Sequence, residues 1–103
     1  MKALKPGHQY QLESFEGGTS QILQFIEKAP DPKDPSKAAT LVNDGTTNEE
    51  VLAMLIDRLK FLGEKVPSRE NSLAITKCEE ALMWLEKRTK DRQARGVEGT
   101  YKK

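Results

Sequence analysis

The sequence predicts an α+β chain: a short N-terminal β-hairpin arm, then a long antiparallel α-helical hairpin, in a protein that oligomerises. Three observations predict it. Two short apolar runs flank Glu16-Gly17-Gly18-Thr19, whose glycines permit a tight turn. Pro30, Pro32 and Pro35 then exclude a regular helix. Two segments of helical periodicity follow, with only Gly63–Pro67 between them.

In the arm, residues 1–28, Tyr10, Leu12 and Phe15 mark the first run, and Ile22, Leu23, Phe25 and Ile26 the second. A lone two-stranded hairpin is marginal in water, so the arm must pack on the helices or on another copy. Residues 29–46 read as a proline-rich linker favouring an extended path. Within it, Leu41 and Val42 suggest a short third strand, and Asn43-Asp44-Gly45 a turn.

Residues 47–99 read as the helical hairpin and 100–103 as a tail. Thr47 followed by Glu50 forms a capping box for helix one. Its stripe is Val51, Leu52, Leu55, Ile56, Leu59 and Leu62, and Gly63 is a natural stop; Met54 and Phe61 lie outside the stripe. Helix two starts at the Ser68 cap, after Pro67, and stops before Gly96. Its stripe is Ala74, Cys78, Ala81 and Leu85, adjoined by Leu73, Ile75, Leu82 and Trp84. Helix one, Asn48 to Leu62, is about 22 Å long and helix two, Arg69 to Arg95, about 40 Å. The far half of helix two, EKRTKDRQAR, must therefore be solvated or docked outside the hairpin.

With 36% apolar and 32% charged residues among 103, the core is small, which favours oligomerisation. The net charge is +1 but unevenly spread: residues 1–85 hold ten Lys/Arg against thirteen Asp/Glu, residues 86–103 seven against three. That end attracts anions yet is too weak for duplex nucleic acid. A single cysteine, Cys78, excludes an intrachain disulfide and a zinc-holding cysteine cluster, and the single histidine, His8, leaves one Cys/His combination at most. No run approaches a membrane span and no secretory signal pattern opens the chain, so a soluble protein of a reducing compartment is expected.

Enzyme motifs are missing: no nucleophile elbow, no phosphate-binding glycine loop, no metal-spaced cluster. Glu79 and Glu80 diverge by about 100° on a helix and form no carboxylate pair. Cys78 fits a small core residue, and His8 an incidental strand position. Arg88 and Arg92, at i and i+4 with Arg95 nearby, make a fork suited to phosphate or an ordinary basic helix end. Arg69, Ser72 and Thr76 share a face that can line a polar pocket, a symmetry axis or a wet surface. Asn71 lies in the anion-favouring first turn of helix two or helps that helix start. Phe61 is core or a platform for a base.

The run PSRENSLAITKCEEALMWLEKRTKDRQARGVEG, following NEEVLAMLIDRLKFLGEKV, resembles the helical-hairpin domain of two kinds of phage anti-defence sponge. One is the anti-CBASS type, which sequesters cyclic oligonucleotides; the other is the anti-Thoeris type, which sequesters cyclic ADP-ribose isomers. The resemblance covers roughly residues 47–99, and the β-rich segment before it is closer to the anti-Thoeris type. It implies a non-enzymatic binder without cofactor or metal, acting in the host cytoplasm and assembling from dimers into a hexamer. It also implies Phe61 as the residue stacking on a base, Asn71 as a polar contact, and Arg88 with Arg92 as the phosphate pair. Arg69, with Thr76 beside it, is implied at a second ligand site on a symmetry axis.

Asn71 and Arg88 lie 17 residues apart on one helix, about 25 Å by helical rise, farther than a small cyclic nucleotide spans. If both touch one ligand, they come from two antiparallel chains, giving two equivalent sites per dimer. Apart from the resemblance, the residues also suit a protein-interaction module docking an acidic host or virion partner. A small nucleic-acid binder fits less well, given the near-neutral charge.

Overall fold

A computed structural model describes residues 1–103. The chain divides into two compact units, Met1–Thr47 with Gly99–Lys103, and Asn48–Glu98.

In the first unit, β1 (Lys2–Lys5), β2 (Gln9–Leu12) and β3 (Gln21–Gln24) form an antiparallel sheet in that order. The expected hairpin is β2–β3, with Tyr10 opposite Leu23 and Gln11 opposite Ile22. Its loop is closed by Gly17 N–H donating to the Ser14 carbonyl at 3.1 Å, with Gly17 at φ 73. The Tyr10 and Phe25 rings meet edge to face, centroids 5.9 Å apart. The hairpin is not two-stranded: β1 pairs Lys2 with Gln11 and Ala3 with Tyr10.

The proline-rich stretch carries a sheet of its own, since β4 (Glu27–Ala29) pairs with β5 (Thr40–Asn43). Leu41 and Val42 are thus in a strand, paired with β4 rather than with β2–β3. The intervening loop turns on two carboxylates: Asp31 accepts from the Lys33 and Asp34 amides at 2.9 Å each, and Asp34 from the Ser36 amide at 2.9 Å. Residues after 98 return to this loop. Ala39 N–H donates to the Gly99 carbonyl at 2.9 Å, Tyr101 N–H to the Pro35 carbonyl at 3.0 Å, and the Tyr101 hydroxyl to the Lys28 carbonyl. Gly45 is required, because a Cβ there would run into the Gln24 carbonyl.

Glu27 ties the two sheets together. It meets Lys5 Nζ of β1 at 2.7 Å, His8 Nε2 at 4.0 Å and Asn43 Nδ2 of β5 at 3.2 Å. The Lys5 contact, opposed by partial desolvation, holds its carboxyl below the ordinary range.

The second unit is the helical hairpin, α1 (Asn48–Lys65) against α2 (Arg69–Ala94). On α1 the covered positions are Glu49, Val51, Leu52, Ile56, Leu59 and Gly63, of which Leu52, Ile56, Leu59 and Gly63 are spaced by fours and threes. On α2 they are Asn71, Ile75, Cys78, Leu82, Leu85, Thr89 and Arg92.

Three expectations change here. Gly63 does not stop α1, which runs on to Lys65. The α2 stripe passes through Ile75 and Leu82, while Ala74 and Ala81 are exposed. The far half of α2 is not wholly solvated, since its covered side continues through Thr89 to Arg92. Only Ile56 and Val97 are buried apolar residues, so Met54, Phe61, Leu73 and Trp84 stay more than 40% exposed.

Candidate functional site: the two ends of the helical hairpin

The turn end begins with the Ser68 cap. Ser68 sits in extended conformation, φ −150 and ψ 153, and its Oγ accepts from the Asn71 amide at 3.0 Å. That bond satisfies one of the orphan donors at the start of α2. The Asn71 side chain then leaves its own helix: Nδ2 donates to the Leu59 carbonyl of α1 at 2.9 Å. Gly63 allows the crossing, because a Cβ there would stand 2.7 Å from Asn71 Nδ2. Lys60, Gly63, Glu64, Ser68, Asn71 and Ser72 line an open depression of about 290 Å³ at this end.

Phe61 is not part of that lining. It is 57% exposed, off the covered stripe of α1, and Lys65 Nζ lies 5.0 Å from its ring centroid. An aromatic face beside an ammonium group suits a flat, anionic ligand. Arg69, Ser72 and Thr76 share one exposed side of α2, as their spacing implies.

At the other end, the two arginines of the expected fork have different surroundings. Arg88 is exposed, whereas Arg92 is 9% exposed. Arg92 Nη2 donates to the Val97 carbonyl at 2.9 Å, and Nε lies 3.4 Å from Glu98 Oε2. A guanidinium this covered requires such partners, since an unpaired buried charge is costly. Arg95 pairs with Asp91 one turn back, at 3.0 Å.

The turn after α2 sets this geometry. Gly96, at φ 71, donates its N–H to the Gln93 carbonyl at 3.1 Å, and Val97 N–H bonds the Arg92 carbonyl at 3.0 Å. This is a Schellman ending, in which the residue after the glycine is ordinarily apolar and covered. Val97 is 6% exposed. Sequence reasoning passed over Val97 and Glu98, although Gly96 followed by a valine carried the signal.

Asn71 and Arg88 stand at opposite ends of one continuous helix, so the single chain does not bring Phe61, Asn71, Arg88 and Arg92 together. No group of His, Cys, Asp and Glu side chains is placed to hold a metal ion. Neither helix is long and apolar enough to cross a membrane.

Comparison with known proteins takes in much of this hairpin. The family model for the Acb2/Tad1 hairpin domain matches residues 23–90, taking in Phe61, Arg69, Asn71, Thr76 and Arg88 and ending two residues before Arg92. Thoeris anti-defense 1 of Bacillus phage SBSphiJ7 is 56% identical over 61 residues, covering 58% of this chain and 43% of that protein. The chain thus spans less than half the length of that curated relative. A match over this share of the chain, from the end of β3 through β4, β5 and α1 into α2, makes the chain a member of the Acb2/Tad1 hairpin-domain family.

Proposed function

We propose that the chain is a phage anti-defence sponge. It binds cyclic nucleotide immune signals in the host cytoplasm and holds them intact, blocking Thoeris or CBASS signalling. The observation that carries the reading is the 56% identity to a phage protein named for Thoeris anti-defence. The ligands are cyclic ADP-ribose isomers, cyclic dinucleotides or cyclic trinucleotides.

In this reading Phe61 stacks on a base, Asn71 and the turn-end depression receive polar groups, and Arg88 with Arg92 grips phosphate. Since α2 separates Asn71 from Arg88, the site is completed between antiparallel chains of a dimer. Arg69 and Thr76, exposed on one face, form a second site where dimers meet around an axis in a hexamer. The exposed Met54, Phe61, Leu73 and Trp84 supply apolar surface for such assembly.

Calorimetry with the three ligand classes tests the reading, together with heating the complex and recovering the ligand. Binding with intact ligand is expected. Degraded ligand moves the protein to the enzymes, and no binding across the panel removes the sponge reading. The same exposed apolar surface also favours a protein-interaction module. In that case Arg88→Ala with Arg92→Ala weakens a protein pull-down while nucleotide binding is absent throughout.

A further inference from the structure

Of the two arginines at the phosphate end, Arg92 already holds a carboxylate. Its Nη2 is bonded to the Val97 carbonyl at 2.9 Å and its Nε faces Glu98 Oε2 at 3.4 Å. A guanidinium uses this Nε–Nη2 edge to fork a carboxylate or a phosphate. Glu98 is the outer member of the pair, its side chain 37% exposed against 11% for Arg92. An anion arriving from solvent therefore reaches the carboxylate before the cation.

The backbone around Glu98 is held on both sides, by buried Val97 and by the Gly99 carbonyl, so the freedom of this short segment is that of the Glu98 side chain. The segment lies between Gly96 at φ 71 and Gly99 at φ 78, conformations that glycine adopts at little cost. Its backbone anchor, Val97 N–H on the Arg92 carbonyl, does not involve the Glu98 side chain. The Glu98 side chain can swing away without undoing the end of α2.

We propose that Glu98 is an internal occupant of the Nε half of the Arg92 edge, whose Nη2 half is held by the Val97 carbonyl, and that it is displaced when a phosphate group binds. It thereby sets the affinity and charge selectivity of the site. This rests on the reading that Arg92 binds phosphate. A carboxylate brings one negative charge and two acceptor oxygens, whereas a pyrophosphate brings more of both. Ligands with two linked phosphates outcompete Glu98, and singly charged anions do not. A merely structural Glu98 predicts the opposite sign, because its loss would loosen Arg92 and weaken binding.

The test compares wild type with Glu98→Gln, which keeps the shape and removes the charge, and with Glu98→Ala as a second neutral variant. Cyclic ADP-ribose and inorganic pyrophosphate are titrated separately by calorimetry, and circular dichroism checks the fold of each variant. Both neutral variants should bind pyrophosphate about fivefold more tightly, the scale of a partly exposed ion pair. The side-chain carboxyl signal of Glu98 should shift when wild type binds pyrophosphate, while amide protection at Gly96 and Val97 stays level. Equal or weaker affinity in the folded neutral variants overturns the proposal. If pyrophosphate behaves as expected but none of the three cyclic nucleotide classes binds in the calorimetry above, Glu98 keeps its role and the sponge reading fails. If cyclic ADP-ribose binds both forms equally, only the role of Glu98 fails. If neither probe binds any form, the role of Glu98 fails, and the sponge reading stands or falls on the three-class panel.

Discussion

Asn71 lies across Gly63: its amide reaches the Leu59 carbonyl at 2.9 Å through the space a Cβ at Gly63 would fill, 2.7 Å from Nδ2. The glycine sits inside a continuous helix that gains nothing from it locally. Its use is in the contact between helices.

Gly63→Ala should therefore destabilise the hairpin. Alanine gains about 1 kcal/mol over glycine inside a helix, but overpacking Asn71 costs roughly 1–3 kcal/mol. A net loss of about 1 kcal/mol is expected in urea denaturation. In an Asn71→Ala background the same change should turn stabilising, by about 1 kcal/mol. A Gly63→Ala effect of the same sign in both backgrounds would refute the contact.

Ser68→Ala removes the side-chain acceptor for the Asn71 amide at the start of α2. The expected cost is about 1 kcal/mol, seen as a lower Tm by roughly 4–8 °C. Ser68→Asp should hold the wild-type Tm, and a fall as large as that of Ser68→Ala would contradict the capping role.

Arg88→Ala and Arg92→Ala should separate binding from folding. Arg88 is exposed, so its loss should lower affinity for a bound cyclic nucleotide by about 10–100-fold with Tm unchanged. Arg92→Ala should lose binding and Tm together, since it strips Glu98 and the Val97 carbonyl of their partner. Equal Tm losses in both variants would count against this division.

Phe61→Ala should weaken ligand binding by about 1–3 kcal/mol, the range for one base stacked on an aromatic ring. Phe61→Trp should retain affinity. Because the ring is 57% exposed, unfolding should change little. A large loss of stability would mark Phe61 as a packing residue instead.

Glu27 makes the β unit sensitive to acid. Its carboxyl is held below the usual value of 4.5, chiefly by the hydrogen bond with Lys5. A lowered carboxyl stabilises the fold above that value, and the benefit fades as pH falls through the lowered one. Protection factors of the β4 and β5 amides, corrected for the intrinsic pH dependence of exchange, should fall in wild type as pH drops through the lowered carboxyl range. Glu27→Gln should show the lower protection already at neutral pH, with a flatter acid response. Identical pH profiles would contradict the assignment.

Local chemistry was legible in the residues, and long-range pairing was not. Ser68 and Gly96 bracket α2 correctly because a cap depends on a few neighbouring positions. Gly63 misled, since its reason lies in Asn71 on the other helix. Ala74 and Ala81 were placed on the inward stripe, while the wider side chains Ile75 and Leu82 hold it. Only one face was visible at i, i+4 for Arg88 and Arg92; that Arg92 is covered depends on a turn beyond the helix. The β2–β3 hairpin was readable from its turn. β1 was not, because Lys2-Ala3-Leu4-Lys5 carries little apolar alternation and its partner is set by register.

The Tyr101 hydroxyl meets the Lys28 carbonyl across 73 positions of chain. Topologically, the helical hairpin is an insertion in the β unit, whose last pieces, residues 99–101, follow α2. During synthesis α1 and α2 leave the ribosome before those pieces do. A folded hairpin also shortens the flexible loop that must close between residues 47 and 99. The β unit is thus discontinuous in sequence: its strands are complete before α1, and residues 99–101 reach Lys28, Pro35 and Ala39 only after the chain has passed through both helices.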